Sequence, residues 1–111
     1  MRDLEAAKRF LAAAKAAAAT DRVDFVPTEK NRQALQRLGW LPGRVWELVP
    51  GLKAADLYQG PELDRRGDPE PFFMFRVGTG AEGEYYLKLK LRTSSPECLV
   101  CVSFHPPEHR W

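Results

Sequence analysis

Hydrophobic positions along the chain follow a helical period up to about residue 50 and a strand period after residue 71. Leu4, Ala7, Phe10, Leu11, Ala14 and Ala18 recur at helical spacing, with Arg9 and Lys15 elsewhere on the wheel, so a helix is predicted over residues 3–19. Its alanine run has high helix propensity but few large apolar groups. It is therefore expected to pack weakly on the domain or to await a partner. Thr20 and Asp21 end it, and Val23–Val26 reads as a short extended stretch before Pro27, which biases Val26 away from helix. Thr28 is placed to cap a second helix that runs to Leu38, with Leu35 and Leu38 on its apolar side and Gly39 as the closing residue. Pro42 suits the start of a third, short helix containing Val45, Trp46, Leu48 and Val49, stopped by Pro50-Gly51. Residues 52–71 show no clear period and read as a connection with Gly60-Pro61, Arg66-Gly67 and Asp68-Pro69. A structureless stretch of that length is more often functional than accidental.

Three strands are predicted in the last third, at Phe72–Val77, Glu84–Arg92 and Cys98–His105, joined by short turns that make them antiparallel neighbours. Helices followed by strands point to an α+β domain, with the helices on one face of an antiparallel sheet of at least three strands. At 111 residues the chain is expected to form one domain.

The strand at 84–92 alternates throughout. Tyr85, Leu87, Leu89 and Leu91 share one face, and Tyr86, Lys88, Lys90 and Arg92 share the other, which becomes a row of positive charge headed by an aromatic hydroxyl. With Phe73, Phe75 and Val77 inward on the preceding strand, and Val100, Val102 and Phe104 inward on the following one, Arg76 and His105 join that outer row. A register that pairs Arg76 with Tyr86 and Tyr86 with His105 keeps the apolar sets inside, and a slip of one residue exposes them.

Composition adds little to this pattern. The 44% hydrophobic content suits a globular core, and a net charge of +2 neither demands nor excludes nucleic acid. No run approaches the ~18 apolar residues of a membrane span, and charged residues interrupt any signal-peptide core, so a soluble cytoplasmic protein is expected. The two cysteines, Cys98 and Cys101, lie in a strand pattern. Residues three apart on a strand sit roughly 10 Å apart on opposite faces, beyond the ~7 Å reach of a disulfide. His105-Pro-Pro-Glu-His109 has a metal-like spacing, but its prolines prevent a regular helix and no ligand cluster accompanies it. No metal or cofactor is expected.

Arg76, Tyr86, Lys88 and His105 together suit RNA cleavage without metal. A base must take the ribose 2′-OH proton, an acid must protonate the departing 5′-oxygen, and cations must stabilise charge on the phosphate oxygens. His105 can act as base or acid, Lys88 and Arg76 can supply charge, and Tyr86 can donate a proton or stack on a base. Lys90 and Arg92 extend the row as candidate substrate-binding residues.

These residues also carry a resemblance. Lys30-Asn31-Arg32-Gln33-Ala34-Leu35-Gln36-Arg37-Leu38-Gly39 resembles the helix and turn of MqsR-family toxins, the motility quorum-sensing regulator toxins of the RelE-like mRNA interferase superfamily. Leu52, Asp56, Tyr58, Gly60-Pro61 and Asp64 resemble the family's aspartate–tyrosine loop, and Tyr86–Leu89 and Val102–His105 its last two strands, so the likeness covers residues 26–106. It implies a RelE-like fold, metal-independent cleavage of mRNA on or off the ribosome, and neutralisation by a cognate antitoxin. Tyr86 matches a tyrosine implicated in the family's catalysis, and Tyr58, a candidate substrate-binding residue, matches its loop tyrosine. Gln59, Phe72 and His105 depart from a lysine, a glutamine and a lysine of well-known members. A different class of function fits the same row: a non-catalytic α+β module binding RNA or a protein through a basic sheet face, for which neither Tyr86 nor His105 would be needed.

Overall fold

The computed structural model describes residues 2–64, 68–93 and 97–107. Three helices, α1 (Leu4–Ala19), α2 (Glu29–Leu38) and α3 (Pro42–Trp46), accompany five strands: β1 (Val23–Phe25), β2 (Leu57–Glu62), β3 (Phe72–Gly78), β4 (Glu84–Arg92) and β5 (Cys98–His105). The sheet order is β1-β5-β4-β3-β2, with β1 parallel to β5 and the other pairs antiparallel. The architecture is α+β, but the sheet is mixed rather than purely antiparallel.

The central hairpins keep the expected register, with Arg76 opposite Tyr86 and Tyr86 opposite His105. One correction lies in β5. A bulge separates the Lys88–Ser103 and Leu89–Cys101 pairs, and the extra residue, Val102, inverts the side-chain phase. The inward set is Leu99, Cys101 and Phe104, not Val100 and Val102 with Phe104. Val100 is buried on the opposite face, across from Lys90. Cys98 and Cys101 are free thiols, and burial raises the Cys101 thiol far above its ordinary pKa.

Both edge strands lie where the sequence pattern is weakest. β2 runs through the stretch read as a connection. Its register shifts on either side of Gln59 and its position at the sheet edge accommodate Gly60-Pro61, which a central strand would exclude. Gly60 is required there: its φ is +131°, and a Cβ would stand 2.8 Å from the Phe72 carbonyl oxygen. Its own carbonyl accepts from the Asp3 amide at 3.0 Å, which ties the start of α1 to this edge.

α1 packs firmly, contrary to the expectation of weak packing. Ala7, Phe10, Leu11, Ala14 and Ala17 are buried, and the small alanines let the helix approach closely enough for Phe10 to stack on Phe73 at 4.3 Å. With Phe75, Tyr85, Leu87, Leu89 and Phe104 they form one hydrophobic cluster on the inner sheet face. Thr28 and Gly39 cap α2 as the sequence indicates. α3 stops at Trp46, and a separate 3₁₀ turn at Val49–Gly51 completes the stretch read as one helix. Trp40 and Trp46 are both partly buried against the core. Among the described residues no helix is long and apolar enough to cross a membrane.

Asn31 joins helix to sheet. Its side chain is 1% exposed. Nδ2 donates to the carbonyls of Val26 at 2.8 Å and Val102 at 3.0 Å, and Oδ1 accepts from the Phe104 amide at 3.1 Å. β1 ends at Phe25, so this carboxamide supplies the edge bonds that a further strand residue would make. Asn31→Ala leaves three backbone groups to find new partners and is expected to lower unfolding stability by about 2–4 kcal/mol. Denaturant unfolding checks this; a loss below about 0.5 kcal/mol, the size of an ordinary surface substitution, contradicts the role.

Candidate active site

The outer sheet face divides into an open end and a covered end. At the open end, register brings Arg76, Tyr86 and His105 side by side on β3, β4 and β5, and β2 adds Tyr58. The Tyr58 and Tyr86 rings lie 5.2 Å apart, Tyr86 and His105 meet edge to face at 5.8 Å, and the Arg76 guanidinium sits 5.3 Å above the Tyr58 ring. Four of the residues selected from the sequence therefore converge. Arg76 is exposed, and the other three are half-buried.

Their protonation follows from these neighbours. Burial, aided by the positive fields of Lys30 and Lys88, lowers the His105 pKa below its ordinary value against an opposing bond to Pro106. His105 Nδ1 lies 2.7 Å from the Pro106 carbonyl oxygen. That oxygen can only accept, so Nδ1 carries the proton and the neutral ring presents its lone pair at Nε2. Burial also raises the Tyr86 pKa, with hydrogen bonding to Tyr58 adding to the effect and Arg76 opposing it. At neutral pH the pair is a free imidazole base beside a protonated phenol.

The covered end departs from the expected row of unopposed positive charge. Lys88 Nζ donates to Asp64 Oδ1 at 2.8 Å and lies 4.0 Å from the Phe72 ring centroid. Lys90 Nζ donates to Asp64 Oδ2 at 3.2 Å and to Asp68 Oδ2, and the residue is only 5% exposed. Burial alone would lower the Lys90 pKa, but its bonds to Asp68 and Asp64 outweigh that and raise it. The Lys88 bond holds Asp64 below the usual carboxylate range, against burial. Arg92 is exposed at the far end of the strand, 3.4 Å from Asp24. Lys90 and Arg92 thus lie away from the Tyr86–His105 pair, and Lys88 stands between the two ends.

A groove of about 630 Å³ opens beside Lys88, lined by Gln59, Glu62, Leu63, Asp64, Phe72 and Val102 among others. Phe72, which stands where a glutamine was expected by resemblance, is therefore a wall of the groove and a platform for Lys88. Residue-type reasoning missed Asp64 as the partner of Lys88, because residues 52–71 show no period that would place it against the sheet. It also missed Lys30, whose charge reaches His105. The only sequence signal for Lys30 was its place at the head of the family-like helix segment. His109, Arg65, Arg66 and Trp111 lie outside the described residues. Among the described residues no three His, Cys, Asp or Glu side chains form a group fit to hold a metal ion.

No family model, curated protein or solved structure matches the chain. The Asp64 pairing has a thermodynamic consequence. Because its folded-state pKa is depressed, its contribution is present above the unfolded carboxylate pKa of about 4 and is lost as pH falls through the folded-state value. Asp64→Asn is expected to lower the melting temperature at neutral pH and to flatten its decline in acid. Parallel melting curves for the two proteins across that range contradict the pairing.

Proposed function

We propose that the protein is a metal-independent endoribonuclease that cleaves single-stranded RNA by attack of a ribose 2′-OH on its own 3′-phosphate. The observation that carries this reading is the pairing of His105, with its lone pair at Nε2, and protonated Tyr86 on one exposed sheet face. Purely architectural packing does not require a half-buried imidazole whose free nitrogen lies on the same face as a phenol and a guanidinium.

In this mechanism His105 Nε2 takes the 2′-OH proton as the 2′-oxygen bonds to phosphorus. The bond to the 5′-oxygen breaks, and that oxygen takes a proton from the Tyr86 hydroxyl. The products are a 2′,3′-cyclic phosphate and a 5′-hydroxyl. Arg76 stabilises the charge that builds on the non-bridging oxygens. Tyr58 packs its ring against Tyr86 at 5.2 Å and offers a face for base stacking. Lys88, tethered by Asp64, acts through its field, which helps keep His105 neutral.

The resemblance to MqsR-family toxins extends this proposal. A RelE-like fold, a cytoplasmic site of action, mRNA as substrate and restraint by a cognate antitoxin all fit a small α+β domain with helices on one face of its sheet. The central strands and α2 coincide with the segments that carry the likeness.

Tyr86→Phe and His105→Ala are each expected to reduce cleavage about 10²–10⁴-fold in EDTA. Unchanged cleavage in both variants removes them as base and acid, whereas intact RNA with the wild type and RNA binding unaltered by either substitution favours the non-catalytic binding module. The pH profile offers an independent check. A lowered His105 pKa keeps the base active until pH falls below about 6.5, and a raised Tyr86 pKa keeps the acid active past about 10. The expected profile is a broad plateau between those limits, and a narrow bell centred near neutrality contradicts the assignment of base and acid.

A further inference from the structure

On the side of His105 away from Tyr86, α2 runs alongside the end of β5. Lys30, Gln33 and Arg37 follow one another along that side of the helix at spacings of three and four residues. With His105 and Pro106 they line a cleft of about 220 Å³. That volume is below the ~300 Å³ at which pockets for drug-sized ligands begin, but it is ample for a phosphoryl group. Arg37 is held in place by Glu82 at 2.9 Å. Lys30 is exposed at the head of α2, and its charge reaches the imidazole from the helix side while that of Lys88 reaches it from the sheet side. The cleft therefore joins the reacting face directly and carries two cationic side chains and a carboxamide donor.

We propose that this cleft is a second phosphate subsite, in which Lys30 and Gln33 hold the phosphate on the 5′ side of the nucleoside that His105 deprotonates. This rests on the nuclease reading, which sets the polarity. The nucleoside bearing the reactive 2′-OH must lie toward His105, and the departing 5′-oxygen toward Tyr86. The 5′-phosphate of that nucleoside then extends away from Tyr86 and toward α2. Lys30 supplies a compact charge for this anion, and Gln33, whose Nε2 donates one hydrogen to Glu29 Oε1 at 3.2 Å, supplies its second amide hydrogen. A phosphate bound there anchors the substrate without taking part in bond making or breaking, so Lys30 is a positioning residue.

The test uses 2′-deoxy dinucleotides, which cannot be cleaved, with a phosphate at the 5′ end, at the 3′ end or at neither, titrated into the full chain and followed by NMR chemical shifts. In the wild-type protein a 5′-phosphate is expected to tighten binding about tenfold, the effect of one charge-assisted contact. Lys30→Gln is expected to abolish that gain while any gain from a 3′-phosphate persists. Lys30 is exposed and glutamine is a good helix former, so the variant retains the fold. Equal binding of the 5′-phosphorylated and unphosphorylated compounds by the wild type, or an undiminished gain in Lys30→Gln, overturns the subsite. Cleavage of the matching ribonucleotides is read separately. Binding that depends on the 5′-phosphate without cleavage removes the nuclease reading and leaves the anion site standing. Cleavage indifferent to Lys30 removes the subsite alone.

Discussion

The Asn31 carboxamide closes the one place where helix and sheet must agree. β5 needs a bulge at Val102 so that Leu99 and Cys101 before it, and Phe104 after it, all enter the core. An uninterrupted strand would carry residues 101 and 104 on opposite faces. The groups left at the β5 edge beyond the end of β1 are the Val102 carbonyl and the Phe104 amide, and Asn31 satisfies both. The same bulge decides the chemistry. With Phe104 inward, His105 turns outward beside Tyr86, and Pro106 follows with the carbonyl that sets the imidazole's tautomer. A buried amide on α2, bonded at the β5 edge, thereby supports the geometry of the site on the outer sheet face.

Electrostatics partition the outer face that this register creates. Asp64 and Asp68 neutralise the Lys88–Lys90 end, where Lys90 is too buried to remain unpaired without cost. Arg76 and the aromatic side chains hold the other end, where His105 and Tyr86 are shifted apart in pKa, the imidazole downward and the phenol upward. Groups driven apart in this way suit separate roles as base and acid. Lys88 stands at the boundary, bound to Asp64 on one side and acting on His105 on the other.

The central strands were legible because they are packed on neighbours from both sides and so show strong alternation: Tyr85, Leu87 and Leu89 are fully buried, and their register followed from that alone. The edges were less so. The extended stretch read at Val23–Val26 is β1, but three residues gave no sign of its parallel pairing with β5. β2 was read as a connection because it carries Gly60-Pro61, which suits a strand only at an edge. The β5 bulge was hidden because Val100, Cys101 and Val102 are all acceptable core residues, so hydrophobicity could not choose the phase. Tyr86, His105, Arg76 and Tyr58 could be named from pattern and likeness. The ion pairs at Lys88 and Lys90 could not, because their partners are more than twenty residues away in a segment without period. Nothing in the sequence set Asn31 apart from the other polar residues of α2, and the edge geometry of β5 explains its burial.

The most direct measurement is the chemistry of the cut ends. A defined single-stranded RNA, incubated with the purified protein in EDTA and examined by mass spectrometry, should yield fragments ending in 2′,3′-cyclic phosphate and beginning with 5′-hydroxyl. A single 2′-deoxy substitution at a cut position should abolish that cut. Intact RNA, or cleavage that leaves 5′-phosphates and ignores the 2′-deoxy substitution, would contradict an internal 2′-OH attack assisted by His105 and Tyr86.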